Sequence, residues 1–157
     1  MIYGQKCVSE PVNRHCCVVD TGKTGILIEG PSGSGKTSLA LGLVEALQRD
    51  NNNAALVADD QALLYVEDGR LMAAAPSQIA GKAELRGYGI IEVSHHGPVA
   101  IGLVARLVDD GKIERVPASR HTIICGIDLA MVELPKRHEA QSIRILRAWL
   151  GQNSGSD

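Results

Sequence analysis

One run of eight residues constrains this 157-residue chain more than any other: Gly30-Pro31-Ser32-Gly33-Ser34-Gly35-Lys36-Thr37. It fits the pattern G-x-x-x-x-G-K-[ST]. An apolar run, TGILIE at residues 24–29, precedes it. A helical period follows at residues 37–49, where Leu39, Leu43, Ala46 and Leu47 share one face. Strand, glycine turn and helix in this order predict a phosphate-binding loop. The glycines let the backbone wrap so that successive N–H groups converge on phosphate oxygens, and the start of the helix adds its positive end. Lys36 is placed to reach the β- and γ-phosphates, the Thr37 hydroxyl to help hold Mg²⁺, and Ser38 lies in the first helical turn.

The rest of the chain reads as one α/β domain built around that unit, spanning residues 1–150, with 151–157 expected to be a disordered tail. Residues 15–20 and 24–29 form two short strands over a tight turn. Residues 54–58 (AALVA) form a strand that runs into two acids. Residues 62–67 and 70–74 flank Asp68-Gly69 as a hairpin. Residues 76–89 read as loop, 99–108 and 121–132 as strands around a polar segment, and 139–150 as a closing helix. This order predicts a mixed β-sheet with flanking helices.

Composition narrows the classes. Apolar residues are 45% of the chain and charged residues 22%, ordinary for a folded domain, while Phe is absent and aromatics are 3%. The core must therefore be aliphatic. A net charge of −2 gives no global basic face for nucleic acid. No apolar stretch approaches the roughly 20 residues of a membrane span, and no secretory leader is evident. Cys7, Cys16, Cys17 and Cys125 have no metal-ligand spacing and read as reduced thiols, so the expected location is cytoplasmic.

Two further segments carry chemistry. Asp59 and Asp60 follow the next apolar strand, Asp59 lying 23 residues after Lys36, and strand ends of such sheets converge on the phosphate loop. One carboxylate is suited to hold Mg²⁺ and the other to accept a proton from an attacking hydroxyl. The segment Glu84-Leu85-Arg86-Gly87-Tyr88-Gly89 places a carboxylate to complete a metal shell and a guanidinium to offset phosphate charge. His95-His96 lacks a third ligand and reads as loop.

These segments together resemble a known family, the bacterial HPr kinase/phosphorylases, in their C-terminal catalytic domain. The matching residues are His15 before a short strand, GPSGSGKT, LVADD at 56–60, and ELRGYGIIEV at 84–93. The last string is similar to the family's own motif, E-x-R-G-x-G-I-I-[DE]-V. The resemblance implies a P-loop kinase core related to phosphoenolpyruvate carboxykinase. It implies ATP-dependent phosphorylation of a serine on the phosphocarrier protein HPr, or on its nitrogen-branch relative. It also implies the reverse reaction, in which inorganic phosphate attacks phosphoserine and pyrophosphate is released. Carried over by position, Asp59 would be the base and reverse acid, with Asp60 beside it. Lys36, Thr37, Glu84 and Asp60 would serve phosphate and Mg²⁺, and His15 would bond to the acidic site. Arg86 joins them through the motif, and Arg115 would match an arginine that steadies the transferring phosphate. Pro135-Lys136-Arg137-His138 is the nearest match to a basic loop that contacts substrate. The family's rings imply a homo-oligomer, with a hexamer as one form. The chain resembles the short alphaproteobacterial form without an N-terminal domain. The rival readings are a small-molecule P-loop kinase and a degenerate ATP-binding regulatory module.

Overall fold

The computed structural model describes residues 9–153. Chain order begins with β1 (Val12–Arg14), β2 (Cys17–Asp20), β3 (Gly25–Glu29), α1 (Lys36–Arg49) and β4 (Ala55–Ala58). Then follow β5 (Ala62–Glu67), β6 (Arg70–Ala74), β7 (Lys82–Leu85), β8 (Gly89–Glu92) and β9 (Val99–Val108). A short 3-10 turn at Asp110–Lys112 leads to β10 (Arg120–Ile124), β11 (Ile127–Pro135) and α2 (Glu139–Asn153).

The long apolar strand β9 organises the sheet. Continuous apolar runs suit strands covered on both faces, and β9 is paired along both edges. Parallel β3 lies on one side. On the other, antiparallel β6 meets its first two residues and parallel β11 its residues 103–108. From there the sheet order runs β1-β5-β6-β9-β3-β2-β4, with β10 beyond β11. Alternate side chains point to opposite faces. Cys17, Val19, Ile26, Ile28, Leu103 and Ala105 pack against Leu39, Leu43 and Leu47 of α1. Cys16, Val18, Leu27 and Val104 pack against Leu64, Leu71 and Ala73 of the curled outer strands. Both cores are aliphatic, as the lack of Phe requires, and the adjacent cysteines are split between them.

Helix α1 is preceded at its N-cap by Gly35, whose φ of +94° no β-carbon residue takes readily, and no side chain caps it. It ends where Asn51 turns left-handed at φ +64° and the Asn52 N–H donates to the Leu47 carbonyl.

The structure differs from the sequence reading at several points. Residues 76–89, expected as loop, contain β7, and with β8 they form a separate two-stranded hairpin. Its turn holds Gly87 at φ +89°, and Ala83 is its buried anchor. The expected single strand over 121–132 is instead β10 and β11, reversed at Cys125-Gly126, both left-handed at φ +50° and +78°. A two-residue turn of this kind fits the twist of antiparallel strands, but Cys-Gly inside an apolar run gives little warning of it. The short β1 was not anticipated. Helix α2 continues to Asn153, so the tail expected from Gly151 onward begins inside it. Residues 154–157 and Cys7 lie outside the described residues. No helix among the described residues is long and apolar enough to cross a membrane.

Candidate active site

The phosphate loop lies at the carboxyl end of β3, where the chain needs a close pass over β9. The loop backbone holds Gly33 and Gly35 left-handed, at φ +77° and +94°. Among the described residues, neither glycine's N–H finds an acceptor within the protein. Lys36, buried, folds back so that Nζ donates to the Gly30 and Pro31 carbonyls at 2.8 and 3.2 Å. Two free amides beside an ammonium group with only neutral acceptors make a seat for a polyanion, and the residues present fit the phosphates of a nucleotide. Ser34, by contrast, turns inward: its hydroxyl is buried and has no hydrogen-bond partner among the described residues.

A cleft of about 790 Å³ opens over this loop, lined by His15, Ser32, Gly33, Gly35, Lys36, Thr37, Ser38, Asp59, Asp60, Glu84, Arg86 and Arg137. The two acids at the end of β4 have distinct surroundings. Asp59 is buried, and three donors hold it. The Thr37 hydroxyl donates to Oδ1 at 2.7 Å, the Cys17 thiol to the same oxygen at 3.3 Å, and the Glu84 backbone N–H to Oδ2 at 2.9 Å. Asp60 is exposed and left-handed at φ +67°, and its Oδ1 lies 3.1 Å from His15 Nε2. The turn is pinned by the Cys16 N–H, which donates to the Asp60 carbonyl. Burial pushes the thiols of Cys16 and Cys17 up to about 12, so both remain protonated donors.

Behind the loop, Glu29 accepts from Arg14 at 2.6 Å and from Arg106 at 2.8 Å. Burial raises its pKa, but the hydrogen bonds from the two guanidinium groups outweigh that and leave the carboxyl below its ordinary range.

Of the residues expected from sequence, His15, Asp59, Asp60, Glu84 and Arg86 meet Lys36, Thr37 and Ser38 in the one cleft. Arg115 does not. It lines a different cleft, between the segment 109–120, β11 and α2, together with Trp149. Arg137 earns a firmer place than sequence assigned it. It donates from Nε to the Gly33 carbonyl at 2.9 Å and from its backbone N–H to the Ser34 carbonyl at 3.2 Å. The signal available was a basic run immediately after a long apolar strand. His96 pairs with Asp20 at 2.9 Å, away from the cleft residues. No three His, Cys, Asp or Glu side chains converge as a cage among the described residues. Mg²⁺ needs none, since it keeps waters and takes one or two carboxylates beside phosphate oxygens. The Thr37 hydroxyl and the carboxylates of Asp59 and Glu84 are oxygen donors of that kind.

The family model "HPr Serine kinase C-terminal domain" matches residues 6–149. An HPr kinase/phosphorylase of Clostridium botulinum (strain Eklund 17B / Type B) is 39% identical over 80 residues, covering 51% of this chain and 24% of the relative. One of Streptococcus agalactiae serotype Ia is 35% identical over 101 residues, covering 63% of this chain and 30% of the relative. The chain thus spans about a quarter to a third of the length of these curated relatives. Among solved structures, the Hpr(Ser) kinase/phosphatase from Coxiella burnetii aligns with a TM-score of 0.78 at 25% identity, covering 92% of this chain and 99% of that one. With nearly its whole length matched by one model and its phosphate loop, paired acids and β7–β8 hairpin in one cleft, this chain belongs to the HPr serine kinase C-terminal domain family.

Proposed function

We propose that this protein is an Mg²⁺- and ATP-dependent protein-serine kinase whose substrate is HPr or its nitrogen-branch relative, and that the same site runs in reverse as a phosphorylase. The observation that carries the reading is the unequal placing of the two acids. Asp59 is turned in toward Thr37, and Asp60 stands at the exposed mouth beside His15. On this geometry Asp59 is the carboxylate that orders Thr37 and the metal's ligands, and Asp60 is the base. That exchanges the two roles that position in the family motif suggested.

In the forward direction Asp60 takes the serine proton as the serine oxygen bonds to the γ-phosphorus. The bond from that phosphorus to the β,γ-bridging oxygen breaks, and ADP leaves. In reverse, an oxygen of inorganic phosphate attacks phosphoserine, the phosphorus–serine oxygen bond breaks, and protonated Asp60 returns its proton to the serine. Pyrophosphate departs. Lys36, Arg86 and Arg137 offset charge on the phosphoryl oxygens, and His15 orients Asp60. Bound Mg²⁺, held by Thr37, Asp59 and Glu84, would neutralise charge on the phosphates.

The compartment in this reading is the cytoplasm. A homo-oligomer belongs to it as well, as the family resemblance implies.

The test is to incubate the protein with radiolabelled ATP, Mg²⁺ and purified HPr-type carriers, then add phosphate and measure pyrophosphate. Phosphoserine on a carrier, removed by phosphate, is the expected result. Asp60→Asn should lower both directions at least about a hundredfold, the scale of a lost general base, and leave ATP affinity within about twofold. ATP binding with no transfer to any carrier would favour a regulatory module. Transfer to a metabolite alone would favour a small-molecule kinase.

A further inference from the structure

Cys17 lies at the start of β2 with no exposed surface, directly beneath the cleft. Its sulfur is 3.3 Å from Asp59 Oδ1 and 3.9 Å from Thr37 Oγ1. A carboxylate offers about four lone-pair positions, two on each oxygen. Thr37 and Cys17 take both positions on Oδ1, and the Glu84 N–H takes one on Oδ2. One position remains, and it is on Oδ2.

We propose that Cys17 is a positioning residue for phosphoryl transfer, whose thiol fixes the rotation of the Asp59 carboxylate so that one oxygen, Oδ2, is presented to the metal. The inference rests on the proposed reading that Asp59 serves Mg²⁺. Thr37 gains a defined direction by the same contact. Its proton is committed to Oδ1, so its lone pairs turn to the cleft, which is the orientation a hydroxyl ligand needs. Without the thiol, Oδ1 recovers a free lone pair in a buried place. The Thr37 hydroxyl and the Glu84 N–H still hold one oxygen each, but the carboxylate can rock about its terminal torsion, which is broad and roughly two-fold, and the Thr37 hydroxyl follows it.

The test separates the donor from the volume. Cys17→Val keeps the site apolar and filled, with one methyl more, and removes the donor, while Cys17→Ser keeps a donor. Mn²⁺ binding to the protein with ATP, measured by titration, should weaken about three- to tenfold in Cys17→Val, the worth of one hydrogen bond. It should stay within about twofold in Cys17→Ser. In the ligand-free protein, the infrared S–H stretching band that disappears in Cys17→Val should shift in Asp59→Asn. Equal Mn²⁺ affinity in Cys17→Val and wild type, or a Cys17 band indifferent to Asp59→Asn, overturns the proposal. The Mn²⁺ comparison needs no change at Asp59, so it decides the matter even if Asp59→Asn fails to fold. Failure of the kinase reading appears elsewhere, as no phosphoserine on any carrier, while the infrared shift would persist.

Discussion

Gly30→Ala should damage nucleotide binding through sterics at the floor of the phosphate loop. A β-carbon on Gly30 would sit 2.8 Å from Ser34 Oγ and 2.9 Å from Leu107 Cβ. Carbon atoms rest comfortably at about 3.5–4.0 Å, so roughly 0.6 Å or more must be found. Ser34 can rotate its hydroxyl, but Leu107 cannot withdraw. It lies on β9, buried, and its strand is held by parallel ladders to β3 and β11. The loop must therefore lift. Overpacking of this kind costs about 1–3 kcal/mol. Some of that falls on folding, and whatever the bound phosphates undo by pulling the loop back falls on affinity. At about 1.4 kcal/mol per factor of ten, ATP binding should weaken about tenfold, with a hundredfold as the upper limit. Calorimetric titration with ATP and urea denaturation measure the two shares. Gly126→Ala is the control: its φ is +78° with open space around it, so it should lose about 1–2 kcal/mol of stability through backbone strain and leave ATP affinity unchanged. A Gly30→Ala protein that binds ATP within twofold and unfolds at the wild-type midpoint would refute the reasoning.

Arg137 should matter to the nucleotide although 104 residues separate it from Gly33. Because its φ is +58°, asparagine, which tolerates left-handed backbone, is the suitable replacement. Arg137→Asn should raise the Kd for ATP about three- to tenfold, and a titration showing no change would remove Arg137 from the site. Glu29 makes a prediction about acid. Its folded pKa is below its unfolded value, so its contribution is present above the ordinary carboxylate range and is lost as pH falls through the folded value. Denaturation midpoints followed from about pH 6 to about pH 3 should fall less steeply in Glu29→Gln than in wild type.

Much of this architecture is written in local patterns. The hairpin of β5 and β6 shows in Asp68-Gly69, which the structure places at φ +52° and +75°, and the phosphate loop shows in its glycines because each has a mechanical reason to be glycine. What escaped has a physical cause in each case. The Cys125-Gly126 turn was hidden because the apolar run continues through it, so periodicity gave no break. The β7–β8 hairpin was hidden because its glycines are strand and turn residues at once. Arg137 reaches Gly33 only because β11 runs parallel to β9, which no spacing reveals. Arg115 fits a motif by order along the chain, whereas the polar segment carrying it folds toward α2.

The division of labour between Asp59 and Asp60 also comes from backbone geometry that sequence conceals. Consecutive residues of an extended strand face opposite sides, so two adjacent acids there could not both serve one cleft. The left-handed turn at Asp60, held by the Cys16 N–H, brings the second carboxylate round to His15 while the first stays on Thr37. A non-glycine residue at φ +67° is costly unless it is Asn or Asp. The acid at position 60 is therefore doubly determined, by charge and by conformation. Asp60→Asn removes the charge and keeps the turn, so its loss of transfer reports on the proton. Asp60→Ala confounds the two, since it also loses the residue's tolerance for the turn. If Asp60→Asn were as active as wild type while Asp60→Ala were inactive, the residue's part would be the turn alone, and the base would have to be sought at Asp59.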